Sequence, residues 1–161
     1  MSNIYLIKTR TKYYMKGTYC LIINLSKDSK IRIGNVLGKI EFKKGSYVYI
    51  GSAMNSLESR VKRHLSDDKK KHWHVDYLLL NKNSKIDEIL LNISDKKIEC
   101  DLAKAIQKNE KIIPKFGCSD CYCDSHLVYF ENSKLAIEKV KESYDSIEMP
   151  YTTLEEFNRF L

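Results

Sequence analysis

Tyr47-Val48-Tyr49-Ile50-Gly51-Ser52-Ala53, followed by Leu57, Arg60, Val61, His64 and Leu65, contains the change of period that decides the fold. The first part is rich in aromatic and β-branched residues and reads as a strand ending at Gly51, where a backbone without a side chain can turn tightly. Beyond it, Leu57, Val61 and Leu65 recur every four residues, the stripe of an amphipathic helix. Asn55 with Glu58 marks a cap-like start for that helix. Arg60 and His64 stand at i and i+4, so they share a face beside the stripe. A strand-end tyrosine and an arginine one turn into the helix can therefore converge on one surface. A guanidinium stays charged and offers paired donors, which suits a phosphoryl group; an interior tyrosine with an ordinary surface ion pair is the alternative.

Working towards the N-terminus, Gly17 to Ile23 reads as a strand that ends at the polar turn Ser26 to Ser29. Lys30 to Ile33 alternates basic and apolar residues, the period of a half-buried strand. Turns carrying Gly34, Asn35 and Gly38 lead into Lys39 to Phe42, and Lys43-Lys44-Gly45 returns the chain to Tyr47. This half is an antiparallel meander. The first sixteen residues read as a polar arm in which Ile4, Tyr5 and Leu6 pack locally.

Towards the C-terminus, Lys71 to Leu80 reads as a helix with Trp73, Tyr77 and Leu80 on one side, and Ile86 to Ile93 as a strand. Ile98, Leu102, Ala105 and Ile106 mark another helix. A loop with Pro114 and Gly117 precedes a short strand, Leu127 to Phe130. Ser133 to Tyr144 reads as helical, and Thr153 with Glu156 forms a capping-box pattern for a last short helix. The expected fold is mixed α/β (α+β), a small antiparallel β-sheet flanked by helices. Residues 1–16 form an arm, 17–130 the main domain, and 131–161 a helical extension packed on it.

Of the 161 residues, 43% are hydrophobic and 30% charged, which favours a folded chain over disorder. Met1 to Lys16 lacks the apolar core of a secretory signal, and no apolar run approaches the ~20 residues that span a bilayer. A cytoplasmic location and no membrane partner are expected. The net charge of +7 suits a polyanion, since basic groups that neutralise phosphates release condensed counterions. Lys62, Arg63, Lys69, Lys70 and Lys71 concentrate that charge and are the candidate nucleic-acid contacts, weighed against a solvated helix face.

At the residues first quoted, the sequence resembles the GIY-YIG nuclease superfamily. Its first signature appears as Gly17-Thr18-Tyr19, with Thr18 at the isoleucine position, and its second as Tyr49-Ile50-Gly51. The helix carrying Arg60 and His64 is similar to that of phage homing endonucleases. His72-Trp73-His74-Val75-Asp76-Tyr77-Leu78, Glu99-Cys100-Asp101-Leu102-Ala103 and Phe116-Gly117-Cys118-Ser119-Asp120-Cys121 extend the resemblance to the archaeal and bacterial Uri-type endonucleases. The resemblance implies a divalent-metal-dependent endonuclease that hydrolyses DNA phosphodiester bonds, in repair or in processing damaged or branched DNA. The alternative is a nucleic-acid-binding module with little or no activity. The implied catalytic residues are Tyr19, Tyr49, Arg60, His64 and His72. Glu99 is the implied ligand of one Mg²⁺ or Mn²⁺ ion, a hard cation that prefers oxygen. Tyr19 would orient or deprotonate the attacking water, which requires its pKa to fall from ~10 through Arg60, the metal or a nearby histidine. DNA is the expected partner, with RNA left open and a repair protein as a further candidate.

Five cysteines remain. Cys20 sits in an apolar run and Cys100 in a helical pattern, and both read as small core residues. Cys118, Cys121, Cys123 and His126 offer enough thiolate and imidazole for zinc, but the spacing is cramped, so a tight turn packed by buried thiols is the preferred reading. In that turn Ser119, Asp120 and His126 would bond the loop backbone, or Asp120 or His126 would lie near the pocket.

Overall fold

Two nine-residue strands, β3 (Gly17–Leu25) and β6 (Gly45–Ala53), pair antiparallel along their whole length, with Gly17 opposite Ala53 and Leu25 opposite Gly45. The computed structural model describes residues 6–9, 12–118 and 121–159. Around this pair the chain adds β1 (Leu6–Thr9), β2 (Lys12–Met15), β4 (Ser29–Arg32), α1 (Gly34–Leu37), β5 (Lys39–Phe42), α2 (Leu57–Leu65) and α3 (His74–Leu79). Then come β7 (Ser84–Ile93), α4 (Glu99–Gln107), β8 (Lys111–Ile112), β9 (Leu127–Phe130), α5 (Ser133–Ser146), β10 (Thr152–Thr153) and α6 (Leu154–Asn158). The main sheet has the order β10-β7-β3-β6-β9-β8, and every pairing in it is antiparallel.

Both faces of the central strands are covered. Side chains alternate along a strand, so β3 sends Tyr19, Leu21 and Ile23 to one face and Cys20 and Ile22 to the other, all buried. The first set joins Leu57 and Val61 of α2, Val75 and Leu78 of α3, Ile31 and Phe42 of the β4-β5 hairpin, and Phe157 of α6 in one core. The second packs against Leu102, Ala103 and Ile106 of α4 and Ala136, Val140 and Tyr144 of α5. A sheet buried on both faces explains why Thr18-Tyr19-Cys20-Leu21-Ile22-Ile23 lacks a polar alternation. No described helix is long and apolar enough to cross a membrane.

The expected antiparallel sheet flanked by helices is present, with local corrections. Gly51 does not end its strand: β6 runs on to Ala53, and Gly51 is paired directly with Tyr19. Ser56, not Asn55, caps α2, its hydroxyl accepting from the Ser59 amide at 3.2 Å. The helix expected from Lys71 begins only at His74, because the Asp76 carboxylate takes the amides of His72 and Trp73, each at 2.8 Å, and holds that stretch extended. In α4, Ala103 is buried where Ala105 was expected, since Leu102, Ala103 and Ile106 make the inward stripe. The arm contains a hairpin, β1 with β2; Ile4 and Tyr5 lie outside the described residues.

Candidate functional site

Register creates the first wall of the site. Tyr19 lies opposite Gly51 and Leu21 opposite Tyr49, which puts both tyrosines on the same face near the end of β6, their rings 6.4 Å apart. A Cβ at Gly51 would fall 2.5 Å from Tyr19 Oη and 2.6 Å from its Cζ, so this glycine serves to admit the ring, not to turn the chain. Tyr47 shares that face, but its hydroxyl donates to the Lys43 carbonyl at 2.6 Å, away from the pair; Tyr49 is the one beside Tyr19.

Helix α2 then returns across the tyrosines. His64 Nε2 lies 2.7 Å from Tyr19 Oη, and its ring packs against both tyrosines at 5.2 and 6.2 Å. One turn earlier, Arg60 donates to the Ser52 carbonyl at 3.0 Å and lies over the Trp73 ring at 4.3 Å. Arg63 also lies over Trp73 and donates twice to buried Asp76, at 2.9 and 2.8 Å. Lys69 closes the end of α2 through the His64 carbonyl at 2.8 Å. Of the five basic residues expected at a nucleic-acid surface, Arg63 and Lys69 therefore brace α2, while Lys62, Lys70 and Lys71 are exposed.

Burial controls the electrostatics of this wall. Desolvation pushes the Tyr19 phenol well above its ordinary value; the Arg60 guanidinium opposes the shift but does not overcome it. Tyr49 is raised for the same reason. His64 is pushed down to about 3, first by desolvation and then by Lys69 and Arg60, so it is neutral near pH 7. Of the groups expected to lower the Tyr19 pKa, Arg60 acts in that direction, but burial outweighs it. His64 Nδ1 is buried and has no hydrogen-bond partner among the described residues. A buried orphan N–H is rarer than a buried orphan acceptor, which favours the tautomer with the proton on Nε2, donating to Tyr19 Oη. The phenol proton is then free to face the pocket.

The second wall comes from α4 and from the loop between β8 and β9. Glu99, the first residue of α4, is about one-third exposed, with Oε1 3.9 Å from His126 Nδ1. It lines a pocket with Tyr19, Tyr49, Gly51, Ser52, Arg60, His72, Trp73, His74, Gly117 and Cys121. His74 Nδ1 accepts from the Gly117 amide at 2.9 Å, which ties α3 to the loop. Gly117 has φ +71°, and a Cβ there would press on Tyr49 and His126 at 3.2 Å. His72 is exposed at the pocket edge and packs on Trp73.

Behind this wall, the ligand atoms of Cys100, Cys121, Cys123 and His126 all lie within 4.8 Å of one another, a group that could hold a metal ion. Cys100 is thus not simply a core residue, and it joins the group in which Cys118 was expected; the Cys118 thiol lies beside Cys121 and donates to the Phe116 carbonyl at 3.4 Å. Ser119 and Asp120 lie outside the described residues. His126 is buried, with Nδ1 3.1 Å from the Ile50 carbonyl of β6 and Nε2 3.3 Å from Cys121 Sγ, so its ring meets β6 and a thiol where bonds to the loop backbone were expected.

The structure brings together Tyr19, Tyr49, Arg60, His64, His72 and Glu99. Sequence reasoning missed Trp73 as the platform for two arginines, the His74 link to Gly117, and the Arg63–Asp76 brace. The only signal for these was the density of aromatic and titratable residues in His72 to Tyr77. A second groove, beside β9 and α5, is lined by Lys43, Glu110, Tyr129, Lys139 and Glu142; its charges are mixed, with Lys139 and Glu110 3.9 Å apart.

Residues 18–149 match a family model described as a domain of unknown function, DUF123. No curated protein and no solved structure matches the chain.

Proposed function

The chain belongs to the DUF123 family, and from that premise we propose that it is a divalent-metal-dependent endonuclease of the GIY-YIG type that hydrolyses DNA phosphodiester bonds. The observation that carries this reading is that one pocket is lined by Tyr19, Tyr49, Arg60 and Glu99, with His64 bonded to Tyr19 behind it. The set combines a fixed cation, a carboxylate and a positioned hydroxyl, the parts that phosphoryl hydrolysis requires.

Glu99 is the residue that would hold Mg²⁺ or Mn²⁺, its carboxylate being the hard oxygen donor such a cation prefers. When bound, the ion neutralises charge on the leaving oxygen. Arg60, anchored on Ser52 and Trp73, offers its remaining donors to the phosphoryl oxygens. Tyr19 orients the attacking water. The phenol stays protonated, its Oη held by the His64 Nε2–H, and the proton of the attacking water passes to a phosphoryl oxygen as the new P–O bond forms and the leaving oxygen departs. Tyr49 forms the adjacent wall and His72 the edge that meets the incoming strand. Lys62, Lys70 and Lys71 supply sequence-independent phosphate contacts. The Cys/His group is unsuited to Mg²⁺; its soft donors match zinc. Five free cysteines fit a reducing compartment, the cytoplasm.

A binding module without cleavage is the second reading, favoured by the neutral, buried state of both Tyr19 and His64. Incubation with supercoiled, single-stranded and branched DNA in Mg²⁺ or Mn²⁺ separates the two. The expected result is cleavage that Glu99→Ala and Arg60→Ala each reduce by about 10²-fold or more. Retained binding with no cleavage by the wild type would establish the second reading. Cleavage surviving both substitutions would sink the first.

A further inference from the structure

We infer that Cys100, Cys121, Cys123 and His126 bind one zinc ion in a closed structural site, which clamps the β8–β9 loop and the start of α4 onto strand β6. This extends the match of soft donors to zinc and is independent of whether the protein cleaves DNA.

Three observations support it. First, the donor atoms are mutually within 4.8 Å. A tetrahedral zinc with Zn–S bonds of ~2.3 Å needs neighbouring sulfurs ~3.8 Å apart, a spacing that lies within the separations found here. Second, His126 is oriented as a metal-binding histidine. Its Nδ1 lies 3.1 Å from the Ile50 carbonyl, which accepts the proton there, and Nε2 lies 3.3 Å from Cys121 Sγ, so its lone pair faces the thiols. A backbone carbonyl that fixes the far nitrogen of a histidine is the usual support for a zinc ligand. Third, the loop presents its side chains selectively: Cys123 is buried and Tyr122, between it and Cys121, is fully exposed.

The fourth ligand comes from a different element. Cys121, Cys123 and His126 belong to one short loop, whereas Cys100 sits in the first turn of α4, next to Glu99. Binding releases three thiol protons to solvent and leaves Zn²⁺ with three thiolates and a neutral imidazole. No coordination position stays open for water, so the ion does not act on substrate. It fixes Glu99 relative to Ile50, which lies between Tyr49 and Gly51 on β6. It also polarises the His126 Nδ1–H, 3.9 Å from Glu99 Oε1.

The test is elemental analysis of the full chain purified under reducing conditions, without chelators or a metal-affinity tag. About one zinc per chain is expected in wild type and in Cys118→Ser, and at least about a tenfold loss in Cys100→Ser. Should Cys100→Ser fail to fold, cobalt exchanged into the wild type provides the second measurement: tetrahedral bands with the sulfur charge transfer of three thiolates are expected. Zinc removal should lower the melting temperature of Glu99→Ala as much as that of wild type, whatever either does to DNA. A folded, reduced wild type without zinc, iron in its place, or zinc lost from Cys118→Ser but kept by Cys100→Ser would each overturn the inference.

Discussion

The two walls of the pocket are built by different means. The Tyr19–Tyr49–His64 wall is positioned by nine consecutive residue pairs between β3 and β6 and by a helix packed over them. The opposite wall, made by the first turn of α4 and the described residues 116–118 and 121–126, is held by individual contacts such as Gly117 with His74, Ser125 with Ile113, and His126 with Phe116 and Ile50. Sheet register fixes positions collectively, so no single bond on the first wall is decisive except where a charge or a ring is enclosed. A loop fixes them one at a time. The lesson is that one pocket can combine a wall sensitive to steric and charge defects with another sensitive to the loss of a cross-link.

The contrast can be broken most directly at Asp76. Its carboxylate is fully buried and accepts from Arg63 twice and from the His72 and Trp73 amides. Asp76→Ala should cost about 3–5 kcal/mol in denaturant unfolding, because Arg63 and two amides lose their acceptor. A cost below 1 kcal/mol would show that the brace is dispensable, by the measure of an exposed ion pair.

Gly51→Ala should follow, at about 2–3 kcal/mol, since the new methyl meets the Tyr19 ring within a paired strand. In a double-mutant cycle, Tyr19→Ala should relieve part of that cost. Strict additivity would locate the strain elsewhere.

Acid sharpens the comparison next. His64 is lowered from 6.5 to about 3, so in that window the unfolded chain takes up a proton that the folded chain refuses. Its contribution is fully present above pH 6.5 and declines as pH falls, by about 1.4 kcal/mol per pH unit. Asp76, also lowered, adds its own loss only as pH falls below its ordinary value of 3.8. Urea unfolding of wild type and His64→Gln between pH 7 and 5 tests this; parallel curves would remove His64 as the cause. The smallest effect belongs to the loop wall, where Cys118→Ser should change stability by no more than about 0.5 kcal/mol.

Much of this was legible in the residues. The four-residue stripe of Leu57 and Val61 gave α2, and with it Arg60 and His64 on one face, because helical period is a local property. Tyr19 and Tyr49 were found by their signatures, yet their contact depends on β3 pairing directly with β6, whereas the expected meander would have put β4 and β5 between them; those two strands instead form a separate hairpin. Gly51 was assigned a turn because a glycine after a strand usually makes one; its actual role, room for Tyr19, is a contact between residues distant in sequence. Cys100 was missed for the same reason. Its helical setting gave it a sufficient role as a small core residue, and nothing local joins it to Cys121 and Cys123. Asp76 ended a helix early by capturing two amides, a tertiary choice that propensity cannot encode.

Glu99 belongs to the layer of α4 and α5 behind the sheet, whereas Tyr19, Tyr49 and His64 belong to the front core. The pocket therefore exists only after both layers have docked on the same six strands. Neither half of the folding reaction can assemble it alone, and α4 must settle before the carboxylate faces the tyrosines. Whatever the pocket does, a chain with either layer undocked lacks it, however native the other layer looks.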